Sequence, residues 1–381
     1  MNGAKRESKR VYWVDAAKAI GIFLVFYGHI AASVRQQGSL IAFKQVKFIF
    51  SFHMPLFFFL AGFFFRRRYQ SGKKEIIALF YKRVIPVLLF GAMAIPFWMI
   101  YHYSQSADTR YMIVKPIKDA LHYIHGETLL NNTTWFLICL FSTEVLAVIL
   151  LPKLKKNYQK ALLAIASLSL GLILANNYED FEPYLGIPQN IWYIHEALVS
   201  LGFYIFGYLS LTSLYKLTRI NAISRLLLAA LFISLTVLTF NLNSPYEGFV
   251  VVLKDSWHGS NIYFIMTAIF GIFSTILIST FIPKSPVVNY IGRNTLILLG
   301  TNGFCLHFLN PYLATLCPHL DSTSWVTGYN TIVSIISILL SVPVIYLLNK
   351  YFPQLVGRPY QQGPLLPSLD SIKIRNYSAH L

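Results

Sequence analysis

Three ionisable side chains stand in one apolar stretch near the start of the chain, DAAKAIGIFLVFYGH, which runs from Asp15 to His29. At about 100° per residue, Asp15, Lys18, Ile22, Phe26 and His29 step by three or four and share one helical face. A neutral imidazole can take a proton from a hydroxyl, and a lysine ammonium can hold an anion. The rise of about 1.5 Å per residue separates Lys18 from His29 by roughly 16 Å along the axis. Ionisable groups inside a membrane span cost about 2.5–3.5 kcal/mol each on insertion scales, so they face protein or water and mark functional sites. For Asp15 and Lys18, near the interface, a snorkelling structural pair is the competing reading. His29 lies deeper and has two ring nitrogens to satisfy, which favours a functional role.

A membrane setting follows from composition. Of 381 residues, 55% are hydrophobic and 12% charged, about half the charged share that covers a soluble domain. The basic tail MNGAKRESKR precedes an apolar run with no small-residue cleavage pattern, so the first helix is expected to remain as an anchor. Cys139, Cys305 and Cys317 are too widely spaced for a disulfide framework or a metal site. The net charge of +17 falls between apolar runs rather than on one face of a soluble module, which argues against nucleic acid as a partner.

With about 20 apolar residues needed per crossing, ten spans are expected: 16–35, 48–65, 84–103, 134–151, 160–176, 194–212, 223–241, 262–282, 287–309 and 331–349. An N-terminus inside gives 24 Lys and Arg in cytoplasmic segments against 7 outside, with Lys18 within a span. That bias sets both termini in the cytoplasm. The fold class is therefore an all-α integral membrane bundle of about ten helices, with residues 1–350 as the membrane domain and 351–381 as a short irregular cytoplasmic tail. Outside, IKDALHYIHGE (Ile117 to Glu127) reads equally as an amphipathic surface helix and as an ordinary loop.

On this topology His53 enters from the outside to nearly the depth of His29, so the two histidines can share a polar cavity. A satisfied core histidine is the bland alternative for His53. Glu144 falls near the middle of its helix and needs a basic partner or a proton; pairing with a histidine and cross-linking of helices are both open. Glu196 sits near an outer interface, where a solvated role is expected. Arg66, Arg67, Arg68, Lys82, Arg83 and Lys18 converge at the inner ends of the first three helices, and the positive-inside rule explains most of such a cluster.

The ordered set of motifs resembles the membrane acyltransferase 3 family, in particular its sugar O-acetylase branch, related to fucose 4-O-acetylases. D-x-x-K-x(10)-H in the first helix is followed by FHMPLFFFLAGFFF (Phe52 to Phe65), KRVIP (Lys82 to Pro86), WFL (Trp135 to Leu137) and IGRNTL (Ile291 to Leu296). The likeness covers nearly the full length. Two positions depart from it: Lys18 stands where the family usually has Arg, exchanging a planar fork for a point charge, and Asn302 stands where many relatives have a histidine. The resemblance implies a plasma (inner) membrane O-acyltransferase with no tightly bound cofactor. It would carry an acyl group, acetyl in the first instance, from acyl-CoA to a cell-surface polysaccharide or lipid-linked glycan, amid membrane lipids. His29 would be the general base, with Asp15, His53 and Glu144 as further catalytic candidates; Lys18, Arg66, Arg67 and Arg83 would hold the donor's phosphates. A transporter or flippase for an acyl donor or glycolipid is the alternative, weakened by the lack of matched broken helices in two halves. A non-enzymatic sensor gives little reason to keep Lys18 and His29 inside lipid.

Overall fold

A computed structural model describes residues 11–65, 72–105, 109–178 and 191–369. The described chain is a helical bundle: α1 (Tyr12–Gln36), α2 (Leu40–Phe50), α3 (His53–Gly62), α4 (Gly72–Gln105), α5 (Thr109–Leu121), α6 (Trp135–Leu150) and α7 (Asn157–Asn176). It continues with α8 (Ile194–Leu217), α9 (Ala222–Leu242), α10 (Asn261–Ser279), α11 (Pro286–Arg293), α12 (Thr295–Phe304), α13 (Asn310–Thr315) and α14 (Thr323–Tyr351). Among the described residues, nine helical stretches are long and apolar enough to cross a membrane, with α2 and α3 together forming one of them.

Two expected spans differ in build. The run expected at 48–65 starts earlier, at Leu40, where the Ser39 hydroxyl caps α2 by accepting from the Ala42 N–H at 3.3 Å and donating to the Leu320 carbonyl at 2.7 Å. It then breaks at Ser51 and Phe52, which puts His53 at the first turn of α3. The run expected at 287–309 is not one helix. It divides into α11, α12, a π turn at Cys305–Leu309 and α13. Asn294 sits at the first division: its side chain donates to the Tyr290 carbonyl at 2.8 Å and accepts from Asn349 at 2.7 Å and Arg358 at 3.1 Å. An Asn side chain that takes backbone and side-chain partners in this way competes with helix continuation.

The bundle has two polar ends, and connections expected on one side meet one another. The Tyr12 hydroxyl donates to the Pro283 carbonyl and accepts from the Ser285 N–H, while Arg35 donates to the Gly248 carbonyl at 3.4 Å at the other end. The described residues after α14, 352–369, fold back against the bundle. Gln354 is buried and its amide donates to the carbonyls of Gln361 and Leu366.

Helix α1 lies at the centre, packed on α2, α3, α10, α11, α12, α13 and α14. Against this core α3 and α8 cross with their backbones touching. A Cβ on Gly62 would overlap the Tyr204 carbonyl, and one on Gly207 would overlap the Phe59 carbonyl. Small residues at such crossings let helices approach where lipid supplies no hydrophobic drive. The segment Ile117–Glu127 takes its helical reading, as the end of α5 and a 3-10 turn at His122–His125, with Ile117, Leu121 and Ile124 exposed.

Candidate active site

One face of α1 lines two cavities in succession. Lys18 and Ile22 border an inner cavity of about 170 Å³, and Val25, His29, Ala32 and Gln36 border an outer one of about 420 Å³. The steps of three and four between these residues are those of a single helical stripe. The stripe is rotated from the one read in the sequence. Phe26 is buried in packing, and Asp15 is buried where α1 crosses α11, its carbonyl against Gly292, so neither borders these cavities.

The inner cavity also takes Arg83 from α4, Glu144 from α6, and Tyr204 from α8. Arg83 Nε donates to Glu144 Oε2 at 2.7 Å and Nη2 to Oε1 at 2.8 Å, a bidentate fork that cross-links α4 and α6. A carboxylate near mid-bilayer is held in this way by a cation rather than by a histidine. Among the described residues, Nη1 of Arg83 is left uncommitted. The Lys18 ammonium lies 4.5 Å from the centre of the Phe64 ring, a cation–π contact at the same cavity. Between these charges the wall is apolar, with Phe57, Ala61, Phe136, Leu137 and Leu140. A second inner cavity of about 200 Å³ shares Phe64, Arg83, Glu144 and Tyr204 and continues past Lys74, Lys82 and Tyr360. Arg66 and Arg67 lie outside the described residues.

The outer cavity holds His29 and His53 together, with Phe50 between them at ring separations of 5.9 and 5.1 Å. His53 Nδ1 donates to the Ile49 carbonyl at 2.8 Å, which fixes its neutral tautomer and leaves Nε2 as an acceptor. His29 makes no ring hydrogen bond among the described residues, and its exposed surface lines the cavity. A third imidazole, His307, stands on the π turn next to Leu306, which lines the same cavity. Its Nε2 accepts from the Asn132 N–H at 3.3 Å. Helical periodicity cannot place His307, because the π turn changes its register. Asn302 is fully buried and its amide has no hydrogen-bond partner among the described residues.

Asp15 and Glu144 therefore do not join the histidines. Asp15 is buried where α1 crosses α11 and lines neither cavity, and Glu144 is committed to Arg83. Glu196 also departs from its expected solvated role. It is buried and paired with His258 Nε2 at 2.9 Å, since the chain after α9 folds back into the bundle rather than staying in water. Cys317 lies on the connection between α13 and α14, where burial pushes its thiol up.

Met54 and Leu299 line both cavities and form an apolar waist between the cationic side and the histidine side. A stripe that carries a cation at one end, an uncommitted imidazole at the other and apolar side chains between suits a substrate with a charged head and a reactive tip. The family model described as the Acyltransferase domain of the acyltransferase 3 family matches residues 11–350. The chain belongs to this family. It is an acyltransferase and a multi-pass membrane protein, and the match takes in every residue of both cavities except Tyr360. No curated protein and no solved structure matches it.

Proposed function

We propose that this acyltransferase moves an acyl group, acetyl in the first instance, from cytoplasmic acyl-CoA to a hydroxyl of a cell-surface glycan, with His29 as general base. The observation that carries the reading is the uncommitted imidazole of His29, one waist away from Lys18 and Arg83. On the orientation set by the charge bias, the cationic cavity opens toward the cytoplasm. Lys18 and the free Nη1 of Arg83 hold the donor's phosphates there, and the apolar neck takes its uncharged arm.

At the outer cavity, a ring nitrogen of His29 accepts the acceptor's O–H proton as its oxygen attacks the thioester carbonyl carbon. The tetrahedral intermediate collapses with loss of the C–S bond, and the leaving sulfur takes the proton back from the imidazolium. The products are an ester and the free thiol. His53, locked with Nε2 as an acceptor, orients the incoming hydroxyl. Asp15 and Glu144 take no part in the proton transfer; Glu144 fixes Arg83.

Mass spectrometry of surface glycans from cells with the gene, without it, and with the His29→Ala variant tests the reading. Loss of one acyl mass increment in both altered strains, with the variant protein still in the membrane, supports it. Glycans identical in all three strains would overturn it.

A further inference from the structure

The loop that joins α9 to α10 is built as rigidly as a helix end, and nothing in the proton transfer uses it. Val252 and Trp257 exchange two backbone hydrogen bonds, 2.9 and 3.0 Å, around a 3-10 turn at Leu253–Asp255, and Ser256 closes the turn in the left-handed region at φ 55°. Asn243 at the end of α9 pins the returning strand from both sides. Its Nδ2 donates to the His258 carbonyl at 2.9 Å, and its Oδ1 accepts from the Ser260 N–H at 2.8 Å. Gly259 passes this point at φ 73°, where a Cβ would overlap Asn243 Oδ1. Beneath the loop, His258 donates from Nε2 to the buried Glu196 carboxylate, which Ser200 and Ser256 also approach.

This scaffold brings Val251–Asp255 into the wall of the outer cavity. Lys254 and Asp255 are the charged residues among that cavity's lining, and they pair with each other at 2.8 Å while remaining about a third exposed or less. The pair uses Asp255 Oδ1 and leaves Oδ2 uncommitted among the described residues. The same lining includes the polar residues Gln36, Asn132 and Thr133 and the aromatic Trp135.

We propose that the 249–260 loop is the acceptor-recognition element, with Asp255 and Lys254 as specificity-determining residues for a polyhydroxyl acceptor. The inference rests on the acyl-transfer reading above. A sugar ring offers hydroxyls that both donate and accept, and C–H faces that are apolar. A carboxylate oxygen accepts from one hydroxyl, the neighbouring ammonium donates to the next, and an indole covers a C–H face. Holding these groups on a preorganised loop spares the ordering cost that a mobile loop would incur on binding.

The test uses the full-length protein in lipid nanodiscs, acetyl-CoA, and surface glycan extracted from a strain lacking the gene, with thiol release as readout. Asp255→Asn and Lys254→Gln are expected to raise the glycan KM by roughly 10- to 100-fold, the worth of hydrogen bonds to a charged group. The kcat at saturating glycan should fall far less, and melting temperatures should match wild type. Wild-type kinetics with unchanged KM in both variants would overturn the loop's role and leave the transfer reading standing. Equal losses in kcat and kcat/KM would also overturn it, since they mark a group acting only in the chemical step. A wild type that releases no thiol with or without glycan overturns the transfer reading, and this one with it.

Discussion

Two histidines, His29 and His53, line the outer cavity, a third, His307, is bonded to the backbone of its lining residue Asn132, and their ring partners separate them. His53 is fixed by the Ile49 carbonyl and His307 by the Asn132 N–H, whereas His29 is left to the cavity. Replacing His29 with Ala should lower the rate of acyl transfer by about 10²- to 10⁴-fold, the range for a positioned base. The same change at His53 should cost less, because it orients rather than accepts the proton. Lys18→Met should raise the acetyl-CoA KM more than it lowers kcat, and Lys18→Arg should recover most of that loss; initial rates over a donor titration distinguish these. Glu196 and His258 make a separate case. Cutting a buried pair by Glu196→Ala leaves the imidazole without its partner and should destabilise the fold by about 3–5 kcal/mol, seen as a lowered melting temperature in detergent. Spacing alone brought Lys18 and His29 into view, since both lie on one uninterrupted helix. It could not separate free from tied imidazoles, because their partners Ile49 and Asn132 sit at chain breaks that hydropathy does not mark. Glu196 was misplaced for the same reason: its partner arrives on a loop whose sequence, KDSWHGS, reads as solvent-facing.

At the scale of elements, the apolar runs were legible because the cost of exposing backbone to lipid forces long helices. The interruptions were not. Hydropathy is blind to whether an apolar run is one helix or several, so the break before His53 and the four-part segment from α11 to α13 emerge only from the structure. The first of those breaks sets His53 in the lining of the outer cavity, and the π turn sets His307 against Asn132. The α3–α8 crossing is where the bundle tolerates least change. Gly207→Leu drives a side chain into the Phe59 carbonyl and should cost at least the roughly 1–3 kcal/mol of an overpacked core, whereas Gly328→Leu on α14, with open space around it, should be neutral. Thermal melts of the two variants side by side decide this. The waist is the other sensitive element: Met54→Trp should block donor passage and reduce transfer while leaving acetyl-CoA binding at the inner cavity in place, measurable by ligand-induced thermal shift.

In the whole molecule, one face of α1 links the cationic cavity to the histidine cavity. Charge bias gave the orientation, and the structure groups the inner connections apart from the outer ones, as the Tyr12–Pro283 and Arg35–Gly248 contacts show. In a background with Cys139, Cys305 and Cys317 replaced by Ser, a cysteine at Lys284 should react with an impermeant thiol reagent only from the cytoplasmic side, and one at Gly248 only from outside. Donor from within and acceptor from without then meet at His29, the claim on which the rest depends. Its most direct measurement is thiol release and ester formation by wild type and His29→Ala in proteoliposomes, with acetyl-CoA confined to the side bearing Lys18 and glycan to the other. Ester is expected on the far-side glycan with wild type and none above background with His29→Ala. Ester formed at the wild-type rate by the variant would contradict it.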